Sequence, residues 1–416
     1  MGQSTGRLDI MGGIADYSGS MVLQKTVRQT TKVNIRKRFD GIYKVISRHF
    51  DGFSQEAEIS EVSLLNDGLF DHAFMRNQLR DQSWLTYVLG CFLIVKFEKG
   101  IDINGADVFI ESNVPIGKGV ASSAALEVAV MKAIQNLYDV PFEGTELSVL
   151  AQKVENKIVG APCGLMDQLA TFFGDKNSLL PIICQPDRLL PLIEIPKNLH
   201  FVGIDSGKKH AVSGSPYRDV RTAAFMGYSM IEQWLGATKA QLKTPENLKF
   251  RGYLANISKY DFDVSFLYKL PQSITGERFM EQYGESIDSM TTIEPTKNYA
   301  VRQASLHPVY ENERVQRFVE ILQKPVTKTL AAELGDMMYA AHASYTACGL
   351  GSEVTDTLVQ MAKNNQKNGI LGAKITGGGN GGTVCLLCEG DEGLEAAQRI
   401  HQDYQKLIDG SVAFFE

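Results

Sequence analysis

The chain has 416 residues, 44% of them hydrophobic and 22% charged, and a formal net charge of −6. That composition is ordinary for a folded globular protein and excludes a disordered one. The acidic balance argues against nucleic acid as a partner, because reading phosphate backbones needs a concentrated basic surface.

A chain of this length outgrows a single hydrophobic core, so two lobes are expected. The longest apolar run, Tyr87 to Val95, is too short to span a bilayer and meets Lys96, so no membrane association is expected. The opening residues lack a basic segment followed by an apolar one, and six cysteines make no disulfide framework. A cytoplasmic protein is the expectation.

Strand-like and helix-like stretches are mixed throughout, which places the chain in the α+β (mixed α/β) class. A glycine-dotted stretch comes first, Gly6 to Gln24. The segment Val114 to Ala129, VPIGKGVASSAALEVA, then turns into a long helix. In it Ala124, Val128, Met131, Ile134 and Tyr138 recur at helical spacing before Pro141. Next, Pro162 and Gly164 precede a helical turn within Ile158 to Gly174. A proline-rich stretch near Pro181 to Asn198 suggests the lobe boundary, giving lobes 1–197 and 198–416. Ala237 to Met290 reads as helices of the second lobe. Finally, Lys374 to Gly382 holds five glycines in nine residues and runs into the strand TVCLLC. Alternation there sends Cys385 and Cys388 to opposite faces, as two buried thiols.

The Val114 to Ala129 segment has the chemistry of a phosphate site. Gly117 and Gly119 permit tight turns and close approach of a ligand. Ser122 and Ser123 stand at a helix N-terminus, where free N–H groups and the helix dipole favour an anion. Pro115 opens the turn, while Ala121 and Ala124 keep its rim open. A serine hydroxyl beside phosphates also suits Mg²⁺. A plain serine-capped helix explains the same residues about as well, and the pattern is not GxxxxGK[ST]. Lys118 reads as a solvated charge. Asp167, flanked by apolar Leu165, Met166 and Leu169, sits at a pocket wall where a carboxylate could serve a hydroxyl acceptor.

The run PxGxGxxSSAA resembles the central motif of the GHMP kinases. GRLDIMGGIADYSGSMVLQ resembles the N-terminal substrate motif of their galactokinase-like branch, and KITGGGNGG resembles their C-terminal glycine motif. All three occur in the family's order and span essentially the whole chain. The resemblance implies a two-lobed fold with ATP and Mg²⁺ bound in the cleft, and a small-molecule sugar as substrate. It implies that Asp167, in PCGLMDQ, is the catalytic aspartate, with Arg7 beside it to steady developing charge. Ser123 and Glu155 take the place of the metal ligands. Gly117 to Ser123 cradle phosphates, and Thr376, Gly377, Gly378 and Gly379 close over them.

For the sugar, the resemblance assigns Asp16 to ring hydroxyls, Gly164 to a backbone contact and Tyr217 to a side-chain contact. His210 and Arg221 fall in the same motif, His210 as a structural histidine. Where galactokinases read GEHTDYNGG, this chain has Gly13 and Ile14 in place of Glu-His. Neither side chain can hydrogen-bond a sugar's exocyclic hydroxymethyl group, and burying that group without partners is costly. The expected sugar therefore keeps galactose's ring pattern and lacks that group, as L-arabinopyranose does. The motifs resemble the kinase portion of plant L-arabinokinases, without their extra N-terminal region, so a stand-alone kinase is expected. Galactose and a uronic acid are the alternatives. A non-catalytic sugar sensor is the alternative of a different class.

Overall fold

The computed structural model describes residues 1–49, 54–185, 187–208 and 215–416, the side chain of Ser215 excepted. The chain forms two compact units. One holds residues 1–7, 26–116 and 120–176, and the other holds residues 8–25, 117–119 and 177–416. Packing thus divides the chain discontinuously, unlike a single cut at 197/198. The cause is pairing: Met21 to Gln24 hydrogen-bond as a ladder with Leu180 to Ile183, which draws that segment into the second unit.

In the first unit the strands run in the order Ser54–Ser60, Ile42–His49, Ala106–Ser112 and the last part of Met21–Lys37. Only the Ile42–His49 and Ala106–Ser112 pair is parallel. Tyr43, Val45 and Ser47 are buried while their neighbours are half-exposed, the alternation of a sheet with one covered face. The helix Trp84–Lys99 is buried from Val88 to Val95, which accounts for its apolar run. Among the described residues no helix is long and apolar enough to cross a membrane. In Ser122–Tyr138 the expected stripe faces this core: Ala124, Val128, Met131 and Ile134 are all fully buried.

The second unit contains an antiparallel sheet in the order Ile370–Ile375, Thr383–Glu389, Leu199–Asp205 and Phe414–Phe415. Helices Glu353–Asn364 and Gly390–Leu407 bury Leu358, Ala362, Ala396 and Ile400 in a shared core with its strands. Cys385 and Cys388 are buried and unpaired in Thr383–Glu389. A second core gathers around helices Ser215–Trp234 and Val301–Leu322 and takes in Ile14, Tyr17 and Tyr345.

Ala237 to Met290, read as helices of the second lobe, is helical in short pieces: single turns at Gln241–Lys243, Pro245–Asn247 and Leu254–Asn256, a short helical stretch at Lys259–Asp261 and Phe262–Phe266, and a two-turn helix at Gly276–Tyr283. Pro245 lacks an N–H, and Gly252 sits at φ +86°. Both interrupt helix propagation. The segment is held instead by Leu242, Leu248, Phe250 and Leu254, buried in the second core.

That core also encloses His307, with Nδ1 2.8 Å from Ser344 Oγ. Burial pulls this imidazole down to about 4 from its usual 6.5. A neutral buried histidine contributes stability that is full above the unfolded value and is lost as pH falls toward the folded one. Between pH 7 and pH 4.5 this group should cost roughly 2–3 kcal/mol. Urea unfolding at the two pH values is expected to show that loss, and His307→Gln should remove most of it.

Candidate active site

In the first unit, strand Gly2–Met11 carries Arg7 and the first turn of helix Met166–Phe173 carries Asp167. Arg7 Nε and Nη2 both donate to Asp167 Oδ1, at 2.9 and 2.7 Å. Arg7 is buried, while the Asp167 side chain keeps 27% of its surface. Both bonds end on Oδ1. Its sequence neighbours Leu165, Met166 and Leu169 are buried. Gly164, half-buried, lies just before this turn in the same unit.

Helix Ser122–Tyr138 begins after Ala121, which adopts a left-handed φ of 58° and offers no side-chain cap. The first backbone N–H groups are therefore available to an anion. Ser123 Oγ donates to Glu155 Oε1 at 3.1 Å. Glu155 is no surface residue: it is 4% exposed, in a π-helical turn Val154–Val159 that closes at left-handed Gly160. Burial, and next the Asp167 charge, push Glu155 up to about 7. Gln168 Nε2 donates to Glu155 Oε2 at 2.8 Å and to Glu127 Oε2 at 3.1 Å. Burial, then Glu155, push Glu127 well above the usual carboxylate range. Motif reading missed Glu127 and Gln168. Glu127 had a signal: it lies three residues past Ala124 and four before Met131, on the helix's buried face.

The same unit holds a cavity of about 150 Å³ lined by Trp84, Tyr87, Ile110, Ile116, Ser122 and Leu126. An aromatic and aliphatic slot beside a helix N-terminus suits a flat heteroaromatic ring whose phosphates reach that terminus. No motif flagged Trp84 or Tyr87, because they come from a separate helix with no glycine or polar marker.

In the second unit, Gly117 and Gly119 both sit at φ +72°. Thr383 Oγ1 donates to Lys118 O at 2.7 Å. A Cβ on Gly119 would stand 3.3 Å from Thr376 O, so the loop and the glycine motif Thr376 to Gly382 are brought together. Lys118 corrects an expectation. It is not a solvated charge, since its Nζ lies 2.8 Å from buried Asp205 Oδ2. Gly377 and Gly379 adopt left-handed φ of 74° and 82°, with Gly378 between them.

Thr376 Oγ1 accepts from Asp9 N at 2.5 Å, which leaves its proton to donate. Asp9 is the hub here. Its Oδ2 pairs with Lys374 Nζ at 2.6 Å, with both side chains 0% exposed. Its Oδ1 accepts from Gly13 N at 2.9 Å and Gln24 Nε2 at 2.8 Å. An aspartate within the apolar strand residues Leu8 to Met11 was the available signal.

Gly13–Ser18 forms a buried turn in which Tyr17 N donates to Asp16 Oδ1 at 2.6 Å. Tyr217 meets Tyr17 edge to face at 6.1 Å. Arg221 binds Asp288 through two bonds of 2.9 Å and stacks 5.5 Å from the Tyr17 and Phe225 rings. His210 lies outside the described residues.

Residues 86–175 match the profile of the GHMP kinases N terminal domain, and residues 322–406 match that of the GHMP kinases C terminal. An L-arabinokinase of Arabidopsis thaliana is 37% identical over 97% of this chain, which spans 44% of that relative's length. A galactokinase of Haemophilus influenzae (strain PittGG) is 31% identical over 99% of this chain and 90% of its own. Among solved structures, Lactococcus lactis galactokinase complexed with galactose aligns at TM-score 0.71 and 22% identity, covering 99% of this chain and 91% of its own. A mevalonate kinase aligns at TM-score 0.57 and 15% identity over 100% of this chain and 97% of its own.

Proposed function

From a chain that belongs to the GHMP kinase family, we infer a sugar 1-kinase that transfers the γ-phosphoryl group of ATP to the anomeric hydroxyl of L-arabinose. The observation that carries this reading is the Arg7–Asp167 pair, a partly exposed carboxylate held at Oδ1 by a buried guanidinium. Asp167 Oδ2 orients the acceptor hydroxyl and takes its proton as the sugar oxygen bonds to the γ-phosphorus and the bond to ADP breaks. Arg7 holds the carboxylate and offsets charge on the transferring group. In the first unit the N-terminus of helix Ser122–Tyr138 suits phosphates, and in the second unit the Gly117 to Gly119 turn and Thr376 to Gly379 do. The Trp84 and Tyr87 slot takes the adenine ring.

The residues present fit a magnesium ion. Ser123 and Glu155 put a hydroxyl and a carboxylate in contact, and the acids Glu155, Glu127 and Asp167 crowd each other. Mg²⁺ is commonly held by one or two carboxylates, phosphate oxygens and water. Bound there, it would neutralise charge on the phosphates. Gln168 fixes the Glu155 carboxylate toward Ser123.

The sugar is inferred from Gly13 and Ile14, which offer no side-chain hydrogen bond, with the ring hydroxyls assigned to Asp16 and Tyr217 and a backbone contact to Gly164. A uronic acid is disfavoured because Arg221, the buried cation stacked on Tyr17, is paired with Asp288. Galactose remains the second reading, favoured by the galactokinase relatives. The six cysteines form no disulfide, which suits a cytoplasmic setting.

A coupled ADP-release assay over a panel of sugars decides among these. L-arabinose is expected to show the highest kcat/KM, and a higher value for galactose would sink the arabinose assignment. Binding of sugar and ATP without turnover would support the sensor.

A further inference from the structure

Tyr345, on the helix Lys328–Ala347, is fully buried, and its hydroxyl lies where a side chain of residue 13 would begin. A Cβ built on Gly13 would stand 1.5 Å from Tyr345 Oη and 2.7 Å from its Cζ. No side chain at position 13 can coexist with that phenol in this arrangement. Gly13 also has φ +42°, a region that favours glycine.

Both hydrogen-bonding capacities of the phenol that matter here are in use. Tyr345 Oη accepts from Ile14 N at 2.9 Å and donates to Gly377 O at 3.0 Å. The ring has no room to swing aside. Lys374 Nζ lies 5.4 Å from its centroid, and His307 packs edge-on at 5.3 Å. The backbone of the Gly13–Ile14 turn is thereby tied to the glycine motif, and its polar groups are spent inside the protein.

We propose that Tyr345 is a specificity-determining residue. By filling the place of the side chain at position 13, it removes the polar group that a hexose's exocyclic hydroxymethyl group would bind. The site is then matched to a pyranose without that group. The inference rests on the sugar-kinase reading above and assigns selection to the pair Gly13 and Tyr345, not to the glycine alone. It follows that a carboxylate cannot simply be restored at position 13. The phenol must leave first.

The test reads the ratio of kcat/KM for L-arabinose to that for galactose, because misfolding lowers both values together and leaves the ratio unchanged. Tyr345→Phe deletes only Oη. It opens a hydroxyl-sized space beside a bare Ile14 N–H and is expected to move the ratio severalfold toward galactose. Gly13→Glu with Tyr345→Leu restores an acceptor in a vacated space and is expected to move it by about tenfold or more, the scale set by one hydrogen-bonded substrate group. Gly13→Glu alone is expected to lower activity on both sugars.

A ratio within twofold of wild type in Tyr345→Phe, and in the double variant where it folds, overturns the proposal. Should the double variant fail to fold, Tyr345→Phe decides alone. A wild-type preference for galactose sinks the arabinose assignment, whereas the Tyr345 inference stands or falls on whether the ratio moves. If wild type binds without turnover, the same ratio is read from sugar dissociation constants by calorimetry.

Discussion

Asp167→Asn is expected to lower kcat by about 10²–10⁴-fold, the usual worth of a positioned acid–base group, with ATP affinity close to wild type. The change is nearly isosteric. Asparagine Oδ1 can still accept from Arg7 Nε and Nη2, which both bond Oδ1 in the native pair. What is lost is the charge and the proton-accepting oxygen. The buried Arg7, 3% exposed, then loses the charge of Asp167, so some loss of melting temperature accompanies the kinetic one. Steady-state kinetics with nucleotide-binding calorimetry check this. A variant that keeps more than a tenth of wild-type kcat would remove Asp167 from the reaction, and loss of ATP binding would mean that the residue serves the fold instead.

Lys374→Met is expected to cost roughly 3–5 kcal/mol of stability, because it strips the cation from a buried pair and leaves the carboxylate behind. Both side chains are 0% exposed, and the separation is 2.6 Å. The remaining donors to Asp9 are the Gly13 N–H and the Gln24 amide. The same substitution should weaken sugar and nucleotide binding together, since Asp9 holds Gly13 through its side chain and Thr376 through its N–H. Adding Asp9→Asn removes the orphaned charge, so the double variant should be more stable than Lys374→Met alone. Urea unfolding of the three proteins reads this out. A single-variant loss under about 1 kcal/mol would show that water or rearrangement relieves Asp9 and that the pair is no hub.

Local spacing made much of the site legible. A serine pair after two glycines marks a helix N-terminus wherever the chain goes, and Ser122–Tyr138 begins there with its apolar stripe inward. Asp167 reads as a pocket-wall acid from its apolar neighbours, and its side chain is partly exposed beside them. Lys118 misled, because an isolated lysine between glycines carries no local sign of Asp205, its distant partner. Ala237 to Met290 showed only weak periodicity because its helical pieces are short and its apolar anchors follow the shape of the core they fill.

By itself, then, the sequence determined the mixed α/β class, the glycine turn before helix Ser122–Tyr138, the order of the three glycine-bearing motifs and the candidate acid Asp167. These depend on periodicity and turn chemistry within a few residues. Only the tertiary structure decided which buried polar groups pair. Arg7 reaches Asp167 across 160 residues, Ile14 reaches Tyr345 across 331, and Lys374 reaches Asp9 across 365. Such pairings arise because a buried charge or N–H must find a partner, and the folded topology alone settles which partner is at hand. The glycine at position 13, read from sequence as a missing side chain, is thus a space already occupied by Tyr345.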